Sequence, residues 1–129
     1  MPFLIDSNVL IDVSRGNAAA IKYVDSLPET WALSQVTAME LIVGARNKRE
    51  LVTIDSFLAQ YSVVPLSDSI GARAYQLLKT YAKSHGLHVF DSLVAATAIE
   101  KSHTLVTLNR KHYQMIEGLL LEVPNYQQH

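Results

Sequence analysis

Phe3-Leu4-Ile5-Asp6-Ser7-Asn8-Val9-Leu10-Ile11 is the stretch that decides the fold. Three apolar residues read as a short buried strand. Asp6-Ser7-Asn8 then supplies side chains of the helix-capping type. Val9, Leu10, Ile11 and Val13 continue as one or two helical turns that stop near Gly16. A strand handing over to a helix is the unit from which parallel sheets are wound.

The same alternation extends outward along the chain. Asn17 can cap a helix carrying Ile21, Val24 and Leu27, which Pro28 closes. Trp31-Ala32-Leu33 and Ser62-Val63-Val64-Pro65 read as strands. Between them lie helices over Thr37–Ala45 and Lys48–Tyr61, the second with Leu51, Ile54, Leu58 and Tyr61 on one stripe. Ser67 or Asp68 caps a long helix to about Ser84, ended by Gly86. Asp91 opens an alanine-rich helix over Ser92–Lys101. Thr104–Thr107 is a fourth strand, Asn109–Ile116 a short helix or turn, and Leu119–Val123 a fifth strand. This order predicts one α/β domain over 1–129, with helices on both faces of a mostly parallel central sheet.

Composition narrows the classes. The 129 residues are 49% hydrophobic and 18% charged, enough apolar side chain for a globular core. Cysteine is absent, which rules out a disulfide scaffold and thiolate metal ligands. The start has no basic leader and no apolar run reaches spanning length, so a cytoplasmic protein without a membrane segment is expected. Net charge is −1, so any binding to nucleic acid must use local patches. Two basic clusters are available, Arg46-Asn47-Lys48-Arg49 and Arg110-Lys111-His112; both also read as solvated helix ends or loops.

Asp6, Glu40 and Asp91 are the candidates for chemistry. Each lies where a strand gives way to a helix or just inside a helix, and such places gather at one edge of a parallel sheet. Clustered carboxylates repel unless a cation joins them, and Mg²⁺ takes oxygen ligands. Each acid also has a structural explanation. Asp6 and Asp91 can cap the helices they begin. Thr37-Ala38-Met39-Glu40 has the spacing of a capping box.

Four segments then fall into a pattern. Asp6-Ser7-Asn8-Val9-Leu10-Ile11-Asp12, Thr37-Ala38-Met39-Glu40-Leu41, Asp91-Ser92-Leu93-Val94-Ala95-Ala96 and Thr107-Leu108-Asn109-Arg110-Lys111-His112-Tyr113 resemble, in order, the signature segments of PIN-domain proteins. More narrowly, they resemble the VapC toxins of bacterial toxin–antitoxin pairs. The resemblance implies a PIN-like α/β/α sandwich and an endoribonuclease dependent on Mg²⁺ or Mn²⁺. It carries Asp6, Glu40 and Asp91 over as the acidic metal and catalytic site, with Asn8 and Thr37 in support. It places Thr107 and Asn109 near the metal water or the scissile phosphate. Many members have an acid three residues after that asparagine, where this chain has His112. A second metal would therefore be held weakly, and His112 could contact phosphate or protonate a leaving oxygen. Arg15 is a further candidate for phosphate, or a solvated loop residue.

The expected reaction is attack of activated water on an RNA phosphodiester, leaving a 5′-phosphate and a 3′-hydroxyl. A non-catalytic RNA-binding or scaffold domain of the same fold is the alternative. A receiver-type phosphoacceptor fits poorly, because Asp6 has no adjacent acid. The resemblance further implies a VapB-like antitoxin. The apolar runs at Val9–Val13 and Leu41–Val43 suggest a groove for it containing Leu10 and Ile42, and a homodimer is expected.

Overall fold

The computed structural model describes residues 2–126. The elements run β1 (Phe3–Ile5), α1 (Ser7–Ser14), α2 (Ala18–Asp25), β2 (Trp31–Ser34), α3 (Gln35–Val43), α4 (Lys48–Leu58), β3 (Ser62–Val64), α5 (Asp68–His85), α6 (Val89–Glu100), β4 (Thr104–Val106), α7 (Arg110–Tyr113) and β5 (Leu121–Glu122). The strands form one sheet in the order β3-β2-β1-β4-β5, and every pairing is parallel.

The period-two alternation of strands sorts the core into two layers. Leu4, Ala32 and Leu105 face the layer that holds Ile70, Ala74 and Leu77 of α5 and Val94 and Ala95 of α6. Their neighbours Ile5, Leu33 and Val106 face the opposite layer, with Val9 and Leu10 of α1, Val24 of α2 and Leu41 of α3. In α6, Ala95, Ala96 and Ala98 have no exposed surface. Small side chains let the middle of this helix approach its neighbours closely.

Two helix starts differ from the sequence reading. The helix carrying Glu40 begins before Thr37, because the Ser34 hydroxyl caps it by accepting from Val36 N at 3.2 Å. Thr37 is thus an interior residue of α3, and the capping box with Glu40 does not form. The helix carrying Asp91 begins at Val89, with His88 at its N-cap, so Asp91 is in the first turn and is not the cap. No strand precedes it: Gly86, at φ +70°, ends α5 and the chain turns directly into α6. Only a residue without a Cβ takes that backbone conformation at little cost. The cap at Asp6 is present, its carboxylate accepting from Ser7 N at 2.8 Å.

The strand order creates the crevice. From β1 the chain moves one way, through β2 to β3, then returns to the far side of β1 as β4. Connections leave the carboxyl ends of β1 and β4 in opposite directions, and a cleft opens at such a switch point. Asp6 follows β1 and Thr107 follows β4, with Asp6 N donating to Val106 O at 2.9 Å.

Candidate active site

At the switch point Asp6 is almost fully buried, at 4% exposure. One carboxylate oxygen caps α1. The other accepts from the Thr107 hydroxyl at 2.8 Å. That hydroxyl in turn accepts from Asn109 N at 3.0 Å and from Asn8 Nδ2 at 3.4 Å. A hydroxyl has one proton to give, so two incoming donors direct that proton to Asp6. Asn8 also accepts from Leu108 N at 3.2 Å, tying α1 to the loop after β4. Asn8, Thr107 and the Asn109 backbone thus form the cradle of Asp6. Burial raises the Asp6 carboxyl above its usual value; the bonds from Thr107, Ser7 and Tyr113 oppose that rise, and the charge of Asp91 adds to it.

Asp91 is held by the segment that follows. Tyr113 Oη donates to Asp91 Oδ1 at 3.1 Å, and His112 Nδ1 lies 3.2 Å from Oδ2. Tyr113 is buried, and its phenol is pushed far above the ordinary tyrosine value by burial first and then by the charges of Asp6 and Asp91. It therefore remains a donor between two carboxylates. Glu40, in the second turn of α3, is raised by burial, then by Asp6 and Asp91, with a bond from Ser7 acting in the other direction. Each of the three acids thus lies within electrostatic reach of another. Among the described residues no lysine or arginine pairs with any of them.

As the side chains stand, no group of three acids or histidines among the described residues closes around a common point. Asp91 has both oxygens engaged by Tyr113 and His112, which accounts for its orientation. Thr37 is buried one turn before Glu40, and its hydroxyl has no hydrogen-bond partner. Arg15 is exposed at the end of α1 and lines a cleft with Glu40.

The residues named for a partner groove separate. Leu10 has no exposed surface and belongs to the core with Ile5, Val9 and Leu33. The buried sheet face takes that side of α1, so Leu10 is not part of a groove. Ile42 is half-buried beside Met39 and Val43, which are 47% and 82% exposed. Together they line an apolar hollow between α3, α4 and β3.

Tyr113 and Ser7 were not identified as site residues by the sequence alone. A tyrosine at the end of an apolar-flanked turn reads as core, which it also is. Only the fold shows that its hydroxyl meets the acids.

The family model described as PIN domain matches residues 3–117. Ribonuclease VapC10 of Mycobacterium tuberculosis is 37% identical over 121 residues, covering 90% of this chain and 89% of that protein. The tRNA(fMet)-specific endonuclease VapC of Shigella flexneri is 25% identical over 128 residues, covering 95% of this chain and 97% of its own. Among solved structures, a toxin–antitoxin complex from Klebsiella pneumoniae superposes with a TM-score of 0.81 at 28% identity, covering 98% of this chain and 99% of that one.

Proposed function

The chain belongs to the PIN-domain family, and on that premise we propose that it is a metal-dependent endoribonuclease, the toxin of a toxin–antitoxin pair. One observation supports this above the others. Asp6 is a buried carboxylate at the sheet's switch point, Asp91 acts on it, both act on Glu40, and among the described residues no lysine or arginine compensates the charge. Such an arrangement costs stability and suits a site that receives a cation.

The donor set fits Mg²⁺ or Mn²⁺. It consists of carboxylates and a hydroxyl, all hard oxygen donors, and it includes the partnerless Thr37 hydroxyl beside Glu40. Asp6 and Asp91 would hold the ion, with Glu40 completing the set. When bound, it would offset the carboxylate charges, polarise a phosphoryl oxygen and make water a stronger acid. Alternatively to completing the set, Glu40 would orient the attacking water and take its proton. Thr107 and Asn8 keep Asp6 in place during attack. Water is the nucleophile, so the products carry a 5′-phosphate and a 3′-hydroxyl, with no 2′,3′-cyclic end. His112 stands on Asp91 where a fourth acid would add negative charge, so a second ion would be held more weakly than the first.

A VapB-like antitoxin is the proposed partner, seated on the apolar surface of Met39, Ile42 and Val43. A homodimer is proposed alongside it. Among the described residues no helix is long and apolar enough to cross a membrane. The proposed location is the cytoplasm, where RNA and antitoxin would be met.

The test is cleavage of total RNA with end mapping, under chelation and under Mg²⁺ titration. Cleavage should vanish with chelator, return with Mg²⁺ and leave 5′-phosphate ends. Metal-independent cleavage or cyclic phosphate ends would refute the mechanism. An active-site set that binds RNA without cutting it would leave the scaffold reading.

A further inference from the structure

The chain that follows β5 is fastened to α1 and α2 by phenol–carboxylate pairs. Tyr126 Oη donates to Asp12 Oδ2, on α1, at 3.0 Å. Tyr23 Oη, on α2, donates to a carboxylate oxygen of Glu122. Between the two fastenings Pro124 is buried. The rings of Tyr23 and Tyr126 lie 6.3 Å apart, tilted by 51°. Asp12 is only 5% exposed. Among the described residues no lysine or arginine pairs with it, and the Tyr126 phenol is the side chain that donates to it. Both phenols are raised above the ordinary tyrosine value, by burial first and then by the bonded carboxylate. They therefore stay protonated and serve as donors at neutral pH.

Asn8 and Asp12 are one turn apart on α1, so they share a face of that helix. Asn8 binds the segment after β4, accepting from Leu108 N and donating to Thr107 Oγ1. Asp12 binds the segment after β5. Glu122 joins the two segments. Its carbonyl accepts from Thr107 N at 3.1 Å while its carboxylate accepts from Tyr23. Thr107, which orients Asp6, is thus held through its side chain on α1 and through its backbone on β5. β5 itself is two residues long at the edge of the sheet, so its ladder alone secures it poorly. Resting on the nuclease reading, we propose that Asp12, Tyr126, Tyr23 and Glu122 are positioning residues of the acidic site. The tail they fasten is a strap that clamps α1 to the β4–β5 edge and keeps the Asn8–Thr107–Asp6 cradle closed. Loss of the Asp12 fastening frees the second turn of α1, and the slack reaches Asp6 through Asn8 and Thr107. The strap governs how firmly Asp6 is held, and it takes no part in binding RNA.

The test compares Tyr126→Phe, which keeps the ring and removes the donor, with Ile70→Val, a core change in the opposite layer. Amide hydrogen exchange is read on the metal-free proteins and corrected for each variant's loss of global stability. Exchange at Thr107, Leu108 and Asn109 should be about five- to tenfold faster in Tyr126→Phe than in Ile70→Val, the weight of one hydrogen bond. Asp12→Ala should match Tyr126→Phe, and combining the two should add nothing, since both break one bond. Asp12→Asn, whose amide oxygen still accepts from the phenol, should return towards wild type. Tyr23→Phe should act in the same direction but less, because the Glu122 carbonyl keeps Thr107. Mn²⁺ affinity of Tyr126→Phe should fall about three- to tenfold, less than on loss of a partner bonded directly to a metal ligand. Its cleavage should lose kcat at unchanged KM. Equal exchange in Tyr126→Phe and Ile70→Val, or a raised KM at unchanged kcat, overturns the strap. Tyr126→Phe and Asp12→Asn still decide the matter if Asp12→Ala fails to fold. If the wild type cuts RNA and the exchange difference is absent, the strap is wrong and the nuclease stands. If the exchange difference holds but the wild type neither binds Mn²⁺ nor cuts RNA, the nuclease reading fails and the hold of the tail on the cradle stands.

Discussion

Asp6 and Asp91 belong to the same proposed site but are held by different means. Asp6 is set by backbone. It follows β1, its own N–H completes the pairing with β4, and its carboxylate is shared between a helix cap and Thr107. Asp91 is set by side chains. It sits in the first turn of a helix with no strand before it, and Tyr113 and His112 of a later segment hold its two oxygens. One acid is therefore part of the fold's frame, and the other hangs on contacts that a substitution can remove. The difference predicts a rigid side and an adjustable side of the proposed metal-binding site.

The largest expected effect tests whether both sides are needed. Asp6→Asn and Asp91→Asn should each reduce cleavage to background, and each should lose most of the rise in Tm that Mg²⁺ gives the wild type. Without metal they should part. Asparagine caps a helix as well as aspartate does, so Asp6→Asn keeps the cap while removing a buried charge. Its metal-free Tm should rise, by roughly 3–5 °C for each kcal/mol recovered in a chain of this size. Asp91→Asn, on the more exposed side, should change Tm less. Unfolding of Asp6→Asn in the absence of metal would show that the carboxylate is structural first.

Glu40 ranks next. Capping by Ser34 leaves the Glu40 side chain without a capping duty. Glu40→Gln should therefore keep the wild-type Tm and lose about 10²- to 10⁴-fold in turnover, the range for a removed general base. Retained turnover would take Glu40 out of the reaction.

How much of this was legible in the sequence follows from the same contrast. The strand at Phe3–Ile5 and the cap at Asp6 are local features, and local pattern reads them correctly. The parallel α/β architecture also follows from alternation alone. The start of α3 is not decided by composition, since Ser34 and Thr37 are equally good caps. Burial of Thr37, a tertiary fact, decides between them. Leu10 was assigned to a groove because an apolar run does not say which layers will cover it; the sheet face covers Leu10, whereas Val43 at the end of α3 remains exposed. Tyr113 was passed over because its partner Asp91 is 22 residues away and only the fold joins them. The alternation of strands and helices groups Asp6, Glu40 and Asp91 at one sheet edge, although each alone has a sufficient structural explanation; the family resemblance then gives that group its metal and catalytic role.

Smaller effects should separate the two holding devices. Thr107→Val removes the hydroxyl that orients Asp6 and should cost about 10- to 100-fold in Mn²⁺ affinity or in turnover, as lost supporting bonds do at metal sites. Tyr113→Phe keeps the ring in the core and removes only the donor to Asp91. On the adjustable side the carboxylate can find a new orientation, so the loss should fall at the low end, about tenfold. Calorimetric titration of Mn²⁺ into both variants checks this. A larger loss for Tyr113→Phe than for Thr107→Val would reverse the assignment of the rigid and adjustable sides.

The smallest effect is a pH dependence of the metal-free protein. Asp6 and Glu40 both have carboxyls raised by burial above their values in the unfolded chain. In the pH range between the unfolded and folded values, the native state binds more protons than the unfolded state. Stability must then fall as pH rises through that range, opposite to the behaviour of a salt-bridged carboxylate. Other groups titrate as well, so the informative quantity is the wild-type Tm minus that of Asp6→Asn, measured with chelator from about pH 4 upward, where free carboxyls ionise. That difference should become more negative as pH rises and then level off above the folded value. Adding Mg²⁺ should cancel the trend, because the ion binds the ionised form and stabilises it. A difference that stays flat across the range would mean that Asp6 is as comfortable when charged in the fold as in water. The backbone-built cradle of Thr107 and Ser7 would then outweigh its burial.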